Sequence, residues 1–332
     1  MTTDFSKNPM KTGLILPPAD VMDPVGIATT AENLGYGSVW MPELWGSDAF
    51  VQLGVVARET EGITLGTAIA NVFSRSPAVL AMAAATVDRY ADGRMVLGTG
   101  VSTPKAVTDL HGMEYHRPIR RAHETIAIIQ EYLSDAEEPV TYDGEMFEVS
   151  DFEALDADVP VYHAALGPAN RRVVGRLADG WIPHMVPFSH LEDAFDEIER
   201  AADEAGRDAS EITVAPYVPA TVSDDAEEAR EALRGHIAYY VGNGKGYRNA
   251  VAQEFPEKAE GVASLWEDGD REAARAAVTD EMLVDLGVAG TPEDAREQMA
   301  RLQDGFVDLP IVTVPKTGTA LALDTINALA PE

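Results

Sequence analysis

Residues 159–181 read VPVYHAALGPANRRVVGRLADGW. Val159 begins a short, mostly apolar run that lasts to Ala165, with Pro160 near its start and Gly167 just past its end. That is the pattern of a buried parallel strand. Pro168 suits the first turn of a helix, where a missing N–H costs nothing. Ala164, Ala165 and Gly167 are small enough to let a ligand approach the backbone. Free N–H groups at a helix start attract an anion, typically phosphate.

Working outward, strand and helix patterns alternate in both directions. Strands are expected at residues 12–16, 38–41, 63–69, 94–98, 159–165, 180–182, 212–218 and 307–314. Helices are expected at 24–34, 49–60, 78–90, 169–177, 191–205 and 292–302. Further helix signals run to about residue 133, broken near Gly112 and Pro118. Tyr142-Asp143-Gly144-Glu145 is a hairpin turn signal. Eight strands, nearly all followed by a helix, predict an α/β fold of the (β/α)8 TIM-barrel type, as one domain over residues 1–332. The mostly helical stretch at about 224–286 exceeds one crossover and reads as an insertion covering the barrel mouth. An open doubly wound sheet is the alternative, but residues 13–20 (GLILPPAD) lack a GxGxxG turn.

The 332 residues, 45% of them hydrophobic, suffice for a full core. Asp and Glu number 56 against 25 Lys and Arg, a formal net charge of −31, and the acids are spread along the chain. Six of the basic residues are Lys. Spread acidity with scarce Lys resembles the proteome of a salt-loving archaeon, where salt screens self-repulsion. With no basic stripe, nucleic acid is not an expected partner. The chain has no Cys, which excludes disulfides and thiolate chemistry. No apolar signal core or membrane-length run is present, so a soluble, cytoplasmic protein is expected.

In such a barrel the site lies at the C-terminal strand ends. Those ends here are mostly small, apolar or hydroxyl-bearing. They suit a flat, partly apolar cofactor with a phosphate tail, not a metal cage of converging His and carboxylates. The spacings among His111, His116 and His123 do not put all three on one helical face, so these read as surface residues.

Five blocks carry a resemblance: LGTAIANVFSRSPAVLA (65–81), DRYADGRMVLGTG (88–100), the YDGE hairpin (142–145), VYHAALGPANRRVVGRLADGW (161–181) and AGTPEDAREQM (289–299). In this order the chain resembles the bacterial luciferase-like superfamily, specifically its coenzyme F420 (deazaflavin)-dependent oxidoreductases, a group that includes methylenetetrahydromethanopterin reductase. The resemblance implies hydride transfer between F420 and a small organic substrate. It also implies a cis peptide between Ala68 and Ile69 behind the deazaflavin ring. Thr99, Gly100, Val101 and Ser102 would flank the ring and ribityl chain. Ala164, Ala165, Leu166, Gly167 and Pro168, with Pro183 and Met185, would hold the phosphate end. A homodimer through early helices is implied, and helices 23–34 and 78–90 are compatible with it. FMN, in a monooxygenase, is the alternative cofactor, and a non-catalytic flavin-binding protein is the alternative function. Many deazaflavin enzymes of this group carry Asp-His after strand two, where this chain has Glu43-Leu44. Ile15 stands where the pterin reductase has an acid, which points away from that substrate.

Glu43 is the candidate general acid/base, because a carboxyl beside an apolar ring can hold and donate a proton. A helix cap or salt bridge is its structural alternative. His184 is the candidate contact to phosphate or substrate. Trp45 and Tyr239 are candidate pocket walls, and the stretch 239–247, with aromatics beside Gly, is either a lid or a plain helix connection. Arg75 reads as structural. Arg171 could meet the cofactor's acidic tail.

Overall fold

Capping residues set the rhythm of the chain in this computed structural model, in which residues 12–17, 21–44, 46–316 and 318–331 are described. The order is β1 (Gly13–Ile15), α1 (Pro24–Asn33), β2 (Ser38–Met41), α2 (Ala49–Glu59), β3 (Thr64–Thr67), β4 (Ala70–Asn71), α3 (Pro77–Tyr90) and β5 (Met95–Gly100). Then come α4 (Pro118–Leu133), the strands β6 (Val140–Asp143) and β7 (Glu148–Phe152), β8 (Val161–Ala164), α5 (Pro168–Leu177), β9 (Gly180–Trp181) and α6 (Leu191–Glu204). The last third holds β10 (Thr213–Val214), β11 (Tyr217–Val222), α7 (Ala226–Asn243), α8 (Lys245–Val251), α9 (Pro256–Glu267), α10 (Arg271–Ala276) and α11 (Asp280–Leu286). It closes with β12 (Val288–Gly290), α12 (Pro292–Gln303), β13 (Ile311–Thr313) and α13 (Thr319–Ala328). Asp23, Asp48, Ser76 and Thr291 each cap the helix that follows, satisfying N–H groups left open by the first turn.

All strands except β6 and β7 join one parallel sheet, in the order β10-β9-β8-β5-β3-β2-β1-β13-β11-β12, with β4 beside β5. The segment 213–219 bonds on both sides. Thr213 and Val214 pair with β9, and Tyr217 to Pro219 pair with β13. Ala215 N–H donates to Trp181 O (2.8 Å), and Ile311 N–H donates to Pro216 O (2.9 Å). The sheet therefore curls. One face packs Trp40, Val96, Tyr162, Ile182, Ala215 and Ile311 inward. The other buries Val39, Leu65, Leu97 and Val161 against the helices.

The eight expected strand positions are occupied, but residues 212–218 divide into β10 and the start of β11. Helix α13 and strand β12 were not anticipated; the apolar 319–328 stretch follows the last expected strand without a cap signal. Helices α7 to α11 share a core of their own, including Leu233, Ile237, Val262 and Met282. The β6–β7 hairpin docks on α4 through Glu124, whose buried carboxylate accepts from the Glu145, Met146 and Phe147 N–H groups (3.0, 2.8 and 3.1 Å). Among the described residues, no helix is long and apolar enough to cross a membrane.

Candidate active site

Alternation along a strand decides which side chains reach the C-terminal mouth of the curled sheet. Ile15, Ile69 and Ala164 lie at strand ends, half-buried, on top of the inward-facing cluster. They form an apolar floor. The Ala68–Ile69 peptide is cis. Val101 and Ser102 continue the surface from β5, with Ser102 at φ 57°.

Leu166, Gly167 and Pro168 make the adjoining turn into α5. Gly167 is the N-cap and offers no side-chain cap. A methyl added there would meet no atom within 4 Å, so the turn opens on free space. Arg171, 4% exposed, sits beneath, donating to Leu166 O (2.8 Å) and Gln253 Oε1 (3.1 Å). Burial lowers its pKa, opposed by Glu197. It braces the turn from inside and does not reach out to a cofactor tail.

Several expected contacts are relocated. Thr99 is fully buried and on the helix-facing side of β5, not in the mouth. Its hydroxyl lies 3.0 Å from Tyr162 O and 2.9 Å from His163 Nδ1. Gly100 is also buried, and its missing Cβ makes room for Ile69, whose side chain would lie 2.8 Å away. Ala165 packs against Trp181 and Val174 behind the turn, and Met185 joins the core of the α7–α11 helices. Pro183 and Ala68 are buried. Trp45 and residues 18–20 lie outside the described residues.

Glu43 follows β2 and is nearly covered. Its Oε2 accepts from Arg75 Nη1, and its Oε1 accepts from Ala49 N–H at 3.3 Å. Arg75 also donates to Asp48 (2.6 Å) and stacks over Phe50 (4.9 Å). Burial alone would lower the Arg75 pKa, but Glu43 and Asp48 outweigh it and raise it. Glu43 is thus a paired carboxylate, not the isolated carboxyl beside an apolar ring that the sequence suggested.

His184, after β9, is 8% exposed and enclosed by aromatic rings: Tyr217, Tyr240 and Tyr247 at 4.9, 4.5 and 5.2 Å between centroids, and His236 at 6.3 Å. Burial, with the His236 field added, holds its pKa well below the ordinary value. Burial pushes Tyr247 up to about 12 and raises Tyr217 and Tyr240 as well. This box is uncharged at neutral pH, which removes His184 as a cationic phosphate contact. Tyr239 is 52% exposed and meets Tyr240 and Trp266 from outside the box. Tyr217 and His236 escaped sequence reasoning, whereas Tyr240 and Tyr247 belong to the stretch 239–247 read as either a lid or a plain helix connection. The one available signal was the four-residue spacing of His236 and Tyr240, which puts them on one helical face.

Among the described residues no three His, Asp or Glu converge as a metal site. A family model described as luciferase-like monooxygenase matches residues 6–309. A 5,10-methylenetetrahydromethanopterin reductase of Methanolobus tindarius is 30% identical over 89% of this chain and 91% of its own length. A putative coenzyme F420-dependent oxidoreductase of Mycobacterium tuberculosis is 27% identical, over 86% of this chain and 89% of its own. The coenzyme F420-dependent tetrahydromethanopterin reductase structure from Methanopyrus kandleri superposes with a TM-score of 0.82 at 25% identity, covering 98% of each chain. With its parallel curled sheet and a family match spanning nearly its whole length, the chain belongs to the luciferase-like monooxygenase family.

Proposed function

We propose that the protein is a coenzyme F420-dependent oxidoreductase acting on a small, uncharged organic substrate, with its site at the mouth of a (β/α)8 barrel and the α7–α11 helices as an insertion over that mouth. The observation that carries this reading is an uncapped α5 N-terminus opening on free space beside an apolar floor. The residues present fit the cofactor. The turn at Leu166, Gly167 and Pro168 would hold the phosphate, aided by the helix dipole. Ile69, Val101, Ser102 and Ala164 would lie against the ring and ribityl chain. When bound, the deazaflavin supplies hydride exchange at its C5.

The chain's own groups do the rest. Glu43 is the proton relay: Arg75 occupies Oε2, leaving Oε1, with its long bond to Ala49, to take or return the substrate proton. His184 and the three tyrosines form the wall on the substrate side and exclude water. An uncharged box accommodates a neutral alcohol, ketone or enone better than a charged ligand, since a buried charge there would find no counter-ion. Ile15 likewise offers no carboxylate to the substrate. Fluorescence titration in high salt with F420 and FMN side by side tests the cofactor. Consumption of the F420 absorbance with secondary alcohols or enones then tests the reaction. Tight binding of FMN alone would move the reading to the monooxygenase branch, and binding without turnover to a non-catalytic flavin-binding protein.

Exposed apolar side chains gather on α2 (Val51, Val55) and α3 (Val79, Met82), the support for a homodimer through these helices. The net charge of −31 supports work at high salt in the cytoplasm of a halophile.

A further inference from the structure

A buried histidine that the proposed chemistry does not use ties together the segments assigned to the cofactor. His163 is fully buried on the helix-facing side of β8, opposite Thr99 of β5. Its Nδ1 lies 2.9 Å from Thr99 Oγ1, and its Nε2 lies 3.0 Å from Asn170 Oδ1 in the first turn of α5. Asn170 Nδ2 donates to Ala164 O at 2.9 Å, so the amide oxygen must be the atom facing His163. The Nε2 therefore carries the proton and donates, and Nδ1 is left to accept the single Thr99 hydroxyl proton, which then turns to the imidazole and away from Tyr162 O at 3.0 Å. Burial lowers the His163 pKa to about 4, and a single ring proton at neutral pH agrees with this tautomer.

We propose that His163, as the Nε2–H tautomer bridging Thr99 and Asn170, is a positioning residue that sets the Ala164–Pro168 turn so that its backbone receives the cofactor phosphate. The claim rests on the F420 reading above. The bridge fixes α5 relative to β5 and, through Asn170, pins the Ala164 carbonyl away from the anion. Arg171 does the same for the Leu166 carbonyl. Two acceptors that would repel a phosphate are thereby occupied by side chains of the helix's own first turn.

The test compares F420 with the deazariboflavin that lacks the phosphate. His163→Phe keeps an aromatic ring but removes both hydrogen bonds. His163→Gln carries an amide N–H that reaches about as far as Nε2 and can restore the Asn170 bond. The Phe variant is expected to bind F420 at least about tenfold more weakly, the scale of one lost hydrogen bond. Its affinity for the phosphate-free compound should be unchanged, and the Gln variant should recover most of the loss. Equal weakening of both compounds, or of neither, overturns the proposal. Should the Phe variant not fold, ¹⁵N spectra of the wild-type imidazole decide: an Nδ1–H tautomer for His163 overturns it, and an Nε2–H signal that shifts with F420 but not with the phosphate-free compound supports it. If wild type binds neither F420 nor FMN, the cofactor reading fails separately. Inorganic phosphate is then titrated against the Gly167 and Ala169 amide signals, and shifts that disappear in the variant support the positioning role while equal shifts overturn it.

Discussion

Mild acid should destabilise this protein through its buried histidines. His163 and His236 are held neutral by burial, each with a pKa lowered to about 4 from an ordinary 6.5. The unfolded chain keeps the ordinary value. As pH falls through 6.5 the unfolded state therefore gains protons that the folded state refuses, and stability declines until the folded pKa is reached. At about pH 5.5 the difference amounts to between about 1 and 2 kcal/mol per histidine, or about 3 kcal/mol for the pair. His184, displaced further in the same direction, adds to it. Burial raises the pKa of Asp179 and Asp308, and these groups favour the folded state at low pH, so the comparison belongs above the carboxylate range. Urea unfolding at fixed high salt, at pH 8, 7, 6 and 5.5, measures the effect directly. A slope approaching two to three protons between about pH 6 and 5.5 is expected. The His236→Gln variant should flatten it by about one. A flat profile, or a charged His163 at pH 5.5 by ¹⁵N NMR, would refute the argument.

Other outcomes follow from particular contacts. Gly167→Asp should stabilise α5 slightly, by about 0.5 kcal/mol as an N-cap facing the helix dipole, while weakening F420 binding by about a hundredfold through repulsion of the phosphate; a thermal melt and a fluorescence titration read the opposite signs. Glu43→Gln should lower turnover by about 10²-fold with little change in cofactor affinity, and a loss confined to affinity would remove Glu43 from the proton relay. Glu124→Gln replaces one of the two accepting oxygens by an amide N–H, which then faces one or two of the three backbone donors, and should cost about 1–3 kcal/mol in urea unfolding, with the β6–β7 amides losing protection from hydrogen exchange first. Dilution from molar to 0.1 M salt should lower the melting temperature, since a net charge of −31 is then less screened; an unchanged midpoint would count against a halophilic protein.

Neighbouring residues alone set the alternation of strands and helices, the turn at Gly167-Pro168 and the small or apolar character of the strand ends, because each depends on residues within a few positions of one another. Burial by tertiary structure decided what the polar side chains do. Thr99 could be counted as a strand-end hydroxyl from sequence, but only the facing of β5 against β8 turns it to His163 and away from the mouth. Glu43 and Arg75 stand 32 positions apart, and their pairing required β2 and the segment before α3 to meet. Tyr239 looked like the pocket residue beside Tyr240. The packing of α7 turns Tyr240 inward to His184 and leaves Tyr239 outside. Strand and helix signals are local and survive in a linear reading. Partnership and the neutrality of a buried imidazole depend on which distant groups share its dry surroundings, and only the folded chain supplies those.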